Sequence, residues 1–200
     1  QYIENMQEGQ KEKFYLTGND IETLKQNPQL ELFTKKNIEV IFLTDPVDDF
    51  WVSSFPTYKE KQFKSLSRMN AQDVANLSDK ADEKKDDKEV LEQKKDDDET
   101  EGLVKFINEN FKELIKEAKI THKLTSSPAC LSVSDSGMDF RMERMLLEQG
   151  QLQQASKKVL EINPAHPIIK GLVIKLAAEN RELVQNAVLT LFDQACIIEG

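Results

Sequence analysis

Three aspartates in five positions, Asp45, Asp48 and Asp49, follow directly on the apolar run IEVIFL. Carboxylates at the end of an α/β strand can hold a divalent ion, and a metal-dependent enzyme using this triplet is one reading of the chain. The other is a turn opened by Pro46, with acidic side chains placed where a helix start favours negative charge. The second explains the residues with fewer assumptions. His122 and Cys130 are a second constellation to weigh. A thiol and an imidazole make a nucleophile only if they meet and a further group orients the ring, and the surrounding segment offers no such group. His122 therefore reads as a structural strand residue. Seven glycines are scattered with no phosphate-cradling cluster, which argues against nucleotide binding by this chain.

The segment GMDFRMERMLLEQG, residues 137–150, carries a different kind of chemistry, with three of the five methionines inside eight positions. At helical periodicity Met138, Met142, Met145 and Leu146 share one face, while Phe140 and Leu147 fall opposite. Methionine commonly fills gaps in cores, but here the Phe140 and Leu147 face can supply docking. That leaves unbranched, adaptable side chains for partners of varied shape.

Composition narrows the class. The net charge of -9, from 27 Lys and Arg against 36 Asp and Glu, argues against nucleic acid and against an anionic membrane surface. No apolar run approaches the ~18 residues a membrane span requires. Gln1 opens with neither a start methionine nor a signal-peptide pattern, so the chain reads as a soluble, intracellular fragment of something longer. Cys130 and Cys196 are the two cysteines, far apart and without metal-type spacing, and are expected as thiols.

These residues need elements to position them. KFYLTG (13–18) reads as a strand, and Asn19 and Asp20 then open a helix to about residue 36, which Pro28 must break. IEVIFL (38–43) reads as a strand buried on both faces, giving a βαβ unit with a parallel pair. Pro46 opens a short helix or turn within 44–55 that carries Asp45, Asp48 and Asp49 with exposed-looking Phe50 and Trp51, and KQFKSLS (61–67) reads as one more strand. From Asp79 to Glu101, 18 of 23 residues are charged, which suits a flexible linker or a solvated helical extension.

Beyond it, GLVKFINENFKELIKEAK (102–119) places Leu103, Ile107, Phe111, Leu114, Ile115 and Ala118 on one helical face. ITHKL and ACLSVS read as a hairpin around TSSP, KKVLEIN as a third strand, and Asn163 with Pro164 as the start of a helix to about residue 179. The last helix, 181–198, has an apolar seam near heptad spacing. The fold class is thus a two-domain α+β and α/β fragment. A small α/β layer (1–69) is followed by a charged linker or extension (70–101). A helical domain (102–200) with a small antiparallel sheet and a terminal helix bundle completes the chain.

The runs YIENMQEGQKEKFYLTG, LTDPVDDF, LTSSPACLSVSDSGMDFRMERML and LEINPAHPIIKGL together resemble the 90-kilodalton heat-shock chaperones, in their bacterial form, collinearly from Tyr2 to Gly200. The resemblance implies the end of a middle domain followed by most of a dimerisation domain. It places ATP and Mg in an N-terminal domain outside this chain, so the fragment is expected to need no cofactor of its own and to lack ATPase activity. It implies client contact at Asp49, Phe50, Trp51 and Ser53 and at Met138, Met142, Met145 and Leu146. It further implies a homodimer interface on the last helix, at Val184, Ala187, Val188, Leu191, Phe192, Ala195 and Ile198. Partners would be unfolded or partly folded proteins in the cytoplasm, with no nucleic acid and no membrane. A purely structural dimerisation module, with the methionine helix buried, is the remaining alternative.

Overall fold

The computed structural model describes residues 2–6, 10–69, 73, 87–134 and 137–199. Residues 70–72 and 74–86 of the expected linker lie outside them. The chain divides into two compact units: Gln1–Met69 with Val133–Ser156 and Glu199, and Asn70–Ser132 with Lys157–Ile198 and Gly200. The methionine segment therefore groups with the first unit, although sequence order puts it inside 102–200. The backbone shows how it is held there, since the Val133 N–H donates to the Ser67 carbonyl at 3.0 Å.

The first unit opens with helix α1 (Tyr2–Asn5) and is built on a four-stranded sheet. Strand β1 (Glu12–Thr17) pairs in parallel with β2 (Val40–Leu43) and with β4 (Lys61–Ser65), and β3 (Thr57–Tyr58) pairs antiparallel with β4, giving the order β2-β1-β4-β3. The expected βαβ unit and its parallel pair are present. The crossover is broken into α2 (Ile21–Lys25), a 3-10 turn at Pro28–Leu30 and α3 (Glu31–Lys35). Asp20 caps α2 by accepting from the Thr23 N–H at 2.8 Å, and Asn27 caps the 3-10 turn by accepting from the Gln29 N–H at 2.9 Å. Pro28, lacking an N–H, ends the helix where the sequence reading placed the break.

Phe33 of α3 meets Phe14 of β1 edge to face, with ring centroids 4.9 Å apart. The run IEVIFL is not buried on both faces as expected. It forms the sheet edge, with Val40, Ile41 and Phe42 half-buried and only Leu43 of the strand buried. The central strand β1 takes the doubly covered position instead, burying Lys13, Phe14, Tyr15 and Leu16. Helix α4 (Asp48–Ser54) follows β2.

In the second unit, α5 (Asp87–Asn110) is a single helix that takes up the end of the charged stretch, so residues 87–101 are helical. The amphipathic helix expected over 102–119 stops at Asn110. Ile115–Ile120 is strand β5, and Leu114, expected on the buried face, is exposed. Ile115 and Ala118 are three apart, a helical spacing, and an irregularity in the strand register between Ile115 and Glu117 lets both be buried in a strand. β6 (Ala129–Ser132) does not form a hairpin with β5. Both pair with β7 (Lys158–Ile162), β5 in parallel and β6 antiparallel, in the order β5-β7-β6. The sheet is therefore mixed rather than antiparallel.

The methionine segment forms α6 (Phe140–Glu148) in the first unit. Asn163 does not open a helix, because its side chain accepts from the Ala165 N–H at 3.1 Å and closes a turn. α7 (Pro167–Ala177) starts later, with His166 as cap and Pro167 in the first turn, and α8 (Arg181–Glu199) ends the chain. α5 packs on α7 and on β5. Among the described residues, no helix is long and apolar enough to cross a membrane.

Candidate functional site: a methionine-faced cavity in the first unit

Helix α6 is seated by polar contacts. Asp139, buried at its N-terminus, accepts from the Ser65 hydroxyl at 3.0 Å and the Ser67 hydroxyl at 2.5 Å, and lies 3.3 Å from the Arg68 guanidinium. The Tyr15 hydroxyl points to the same carboxylate at 3.5 Å. Burial, then the nearby Asp139 charge, push the Tyr15 phenol above its ordinary pKa. Two residues on, the Arg141 guanidinium donates to Asp49 Oδ2 at 2.6 Å, to the Gly18 carbonyl at 2.7 Å and to the Asp45 carbonyl at 2.6 Å. Glu143 accepts from the Ser156 N–H at 2.9 Å, holding the segment that follows the helix. Sequence reasoning assigned docking to Phe140 and Leu147. Both are half-buried, but the anchors are Asp139 and Arg141.

The seated helix encloses, with α4 and β1, a cavity of about 310 Å³ lined by Tyr15, Asp49, Val52, Ser53, Arg68, Met138, Asp139, Met142 and Leu146. That volume lies at the small end of ligand-sized pockets. One part of its wall is thioether and aliphatic, and the other carries carboxylates and hydroxyls. Met138, Met142 and Leu146 are brought together with Asp49 and Ser53, which sequence reasoning had placed in separate domains.

The remaining expected residues lie outside this wall. Met145 is half-buried, and Phe50 projects from α4 at 50% exposure. Trp51 is half-buried against Phe63, with centroids 5.3 Å apart, and its indole N–H donates to Asp48 Oδ1 at 2.7 Å. The Ser53 hydroxyl donates to the Asp49 carbonyl at 2.7 Å. Burial raises the Asp49 pKa above the ordinary carboxylate value, and the Arg141 charge opposes without cancelling it.

The aspartate triplet does not converge. Asp48 is engaged by Trp51 and by the Asp45 N–H, Asp45 by the Val47 N–H, and Asp49 by Arg141. Among the described residues, no group of three His, Cys, Asp or Glu side chains could hold a metal ion. His122 sits just past β5, 3.2 Å from Asp97 on α5. Cys130 is a buried thiol and Cys196 an exposed one.

The expected dimer residues divide by environment. Val184, Val188, Leu191 and Ala195 are buried within the single chain, Ala187 and Phe192 are half-buried, and Ile198 is exposed. A side chain buried in its own chain cannot also face a partner, so the regular seam of α8 is largely internal packing. Exposed apolar groups on the last two helices are Ile168, Ile174, Leu183, Leu189, Ile197 and Ile198.

Tyr15, Val52, Arg68, Asp139 and Arg141 were absent from the sequence reading of this site. Each acts across distances in the chain that no local spacing encodes. Only Asp139, just ahead of the methionine helix, carried a local signal, as a capping residue type, and its carboxylate serves Ser65 and Ser67 instead.

The chain belongs to the Hsp90 protein family, whose family model matches residues 1–200. It is similar to the chaperone protein HtpG of Rickettsia massiliae (strain Mtu5), 46% identical over 200 residues covering all of this chain and 31% of that relative. It is likewise similar to HtpG of Rickettsia rickettsii (strain Sheila Smith), at 45% identity with the same coverage. HtpG of Ehrlichia canis (strain Jake) is 42% identical over 204 residues, again covering 31% of the relative. The chain thus spans about a third of the length of the curated relatives it matches.

Proposed function

We propose that this chain is the C-terminal part of an ATP-dependent chaperone of the cytoplasm, contributing client binding and homodimerisation while ATP and Mg act elsewhere in the parent protein. The observation carrying this reading is the cavity that joins Met138, Met142 and Leu146 to Asp49 and Ser53, with Phe50 exposed on the same helix as Asp49. Its volume suits one large apolar side chain of a client. Burying such a side chain contributes about 1.5–3 kcal/mol. Micromolar affinity needs about 8 kcal/mol, so one cavity binds weakly and useful affinity comes from several contacts or from two protomers. Weak multivalent contact suits a partner that must be released. The acidic net charge keeps a complex with exposed apolar chain in solution.

Dimerisation is assigned to the exposed apolar groups of the last two helices, Leu183, Leu189, Ile197 and Ile198 among them, rather than to the buried seam. The reading as a purely structural dimerisation module called for a buried methionine helix. Met142 and Leu146 are instead half-buried and line a cavity, which favours the contact role.

The test is NMR line broadening of a partly unfolded client on addition of this chain, comparing wild type with Met142→Glu/Leu146→Glu at matched stability. Broadening by the wild type and its loss in the double variant is the expected result. Equal broadening by both would remove the cavity from client recognition.

A further inference from the structure

We infer that Arg141 is a positioning residue for client contact, fixing the rotational phase of α6 so that its methionine face and α4 form one surface. The inference rests on the client-binding reading above. Arg141 does not line the cavity, yet its side chain is largely buried and uses all three guanidinium nitrogens. Its partners come from three places in the chain: the Gly18 carbonyl just past β1, the Asp45 carbonyl in the turn before α4, and Asp49 Oδ2 within α4.

An α-helix turns 100° per residue, so a change of phase by a single residue would carry Met142 and Leu146, spaced four apart, away from Val52 and Ser53. Apolar contact does not oppose such rotation strongly, because methionine adapts to many packings. A planar fork with three fixed acceptors does oppose it. Asp139, held by Ser65 and Ser67, supplies the second fixed point in the same turn, and two points determine phase where one leaves it free.

Lysine keeps the charge of Arg141 but offers a single nitrogen in place of the three-acceptor fork, which separates geometry from electrostatics. The experiment measures affinity for a partly unfolded client, together with the ε-methyl NMR signals of the methionines, in wild type, Arg141→Lys, Arg141→Ala and Met142→Glu/Leu146→Glu. Methyl signals of the buried Leu16 and Leu32 in the first unit report that the unit carrying each substitution stays folded. Both Arg141 variants are expected to bind client about tenfold more weakly, equivalent to withdrawing one apolar side chain, and to shift the Met138 and Met142 methyl signals. Wild-type or tighter affinity in either Arg141 variant, with binding lost in the methionine–leucine variant, would overturn the positioning role and leave client binding standing. Binding retained by the methionine–leucine variant would overturn the client reading and this inference with it.

Discussion

Lys123 Nζ lies 2.6 Å from Glu161 Oε2 with both side chains almost wholly shielded from water. Lys119 adds a second cation at 3.3 Å, and the Ser132 hydroxyl donates to Glu161 at 2.8 Å. Burial by itself would raise the Glu161 pKa, but the Lys123 charge and hydrogen bond, with Lys119 and Ser132, hold it below the ordinary value. A lowered folded-state pKa gives stability that is present above the unfolded value, about 4.3, and is lost as pH falls through the folded one. Denaturant titrations from pH 7 to pH 3 should show the second unit losing stability in that window, and Glu161→Gln should flatten the profile. Lys123→Met should cost about 3 kcal/mol at pH 7, because the carboxylate stays buried with weaker compensation.

Asn108 on α5 serves the exposed edge of β5 in place of a neighbouring strand. Its amide donates to the Ala118 carbonyl at 2.9 Å and its carbonyl accepts from the Ala118 N–H at 2.6 Å. Asn108→Ala should cost about 1–3 kcal/mol and leave an edge open to pairing. Light scattering on warming should rise earlier than in the wild type, and unchanged scattering would mean that the flanking lysines and glutamates alone protect the edge.

The β3–β4 hairpin turns through Lys59 and Glu60, whose φ angles are 49° and 60°. Two consecutive left-handed residues are the type I′ geometry that Asn-Gly adopts most readily. Lys59→Asn/Glu60→Gly should stabilise the first unit by about 1 kcal/mol, seen as a raised denaturant midpoint with unchanged slope.

Two apolar positions on α8 should behave oppositely. Val184 is wholly buried, while Ile197 is 77% exposed. Val184→Asp buries a charge without a partner and should unfold the second unit. Ile197→Asp should change folding stability by no more than about 0.5 kcal/mol and lower the self-association seen by sedimentation. Unaltered sedimentation would move the dimer surface away from this face.

Much of this protein was legible locally. The capping of α2 by Asp20, the break at Pro28, the parallel β1–β2 pair and the extent of α8 followed from side-chain types over a few residues, where short-range hydrogen bonds and sterics dominate. The misreadings share a cause. Residues 115–120 carry a helical spacing of apolar residues, and only pairing with β7, through a shifted register after Ile115, makes them a strand. Val40–Leu43 had the composition of a central strand, yet edge or centre is a property of the sheet and not of the segment. The seam of α8 was visible as a pattern, but whether a pattern faces its own chain or another depends on what packs there.

The candidate site divides in the same way. Residue type and helical period pick out Met138, Met142 and Leu146 without the rest of the fold, while Asp49 and Ser53 enter through the resemblance to the family. Their union into one cavity was decided by Arg141 reaching Gly18, Asp45 and Asp49, and by Asp139 reaching Ser65 and Ser67. These contacts join residues separated by about seventy to more than a hundred positions, and hydrogen bonds at such separations carry no periodic signature. They exist only once the sheet has brought their acceptors together.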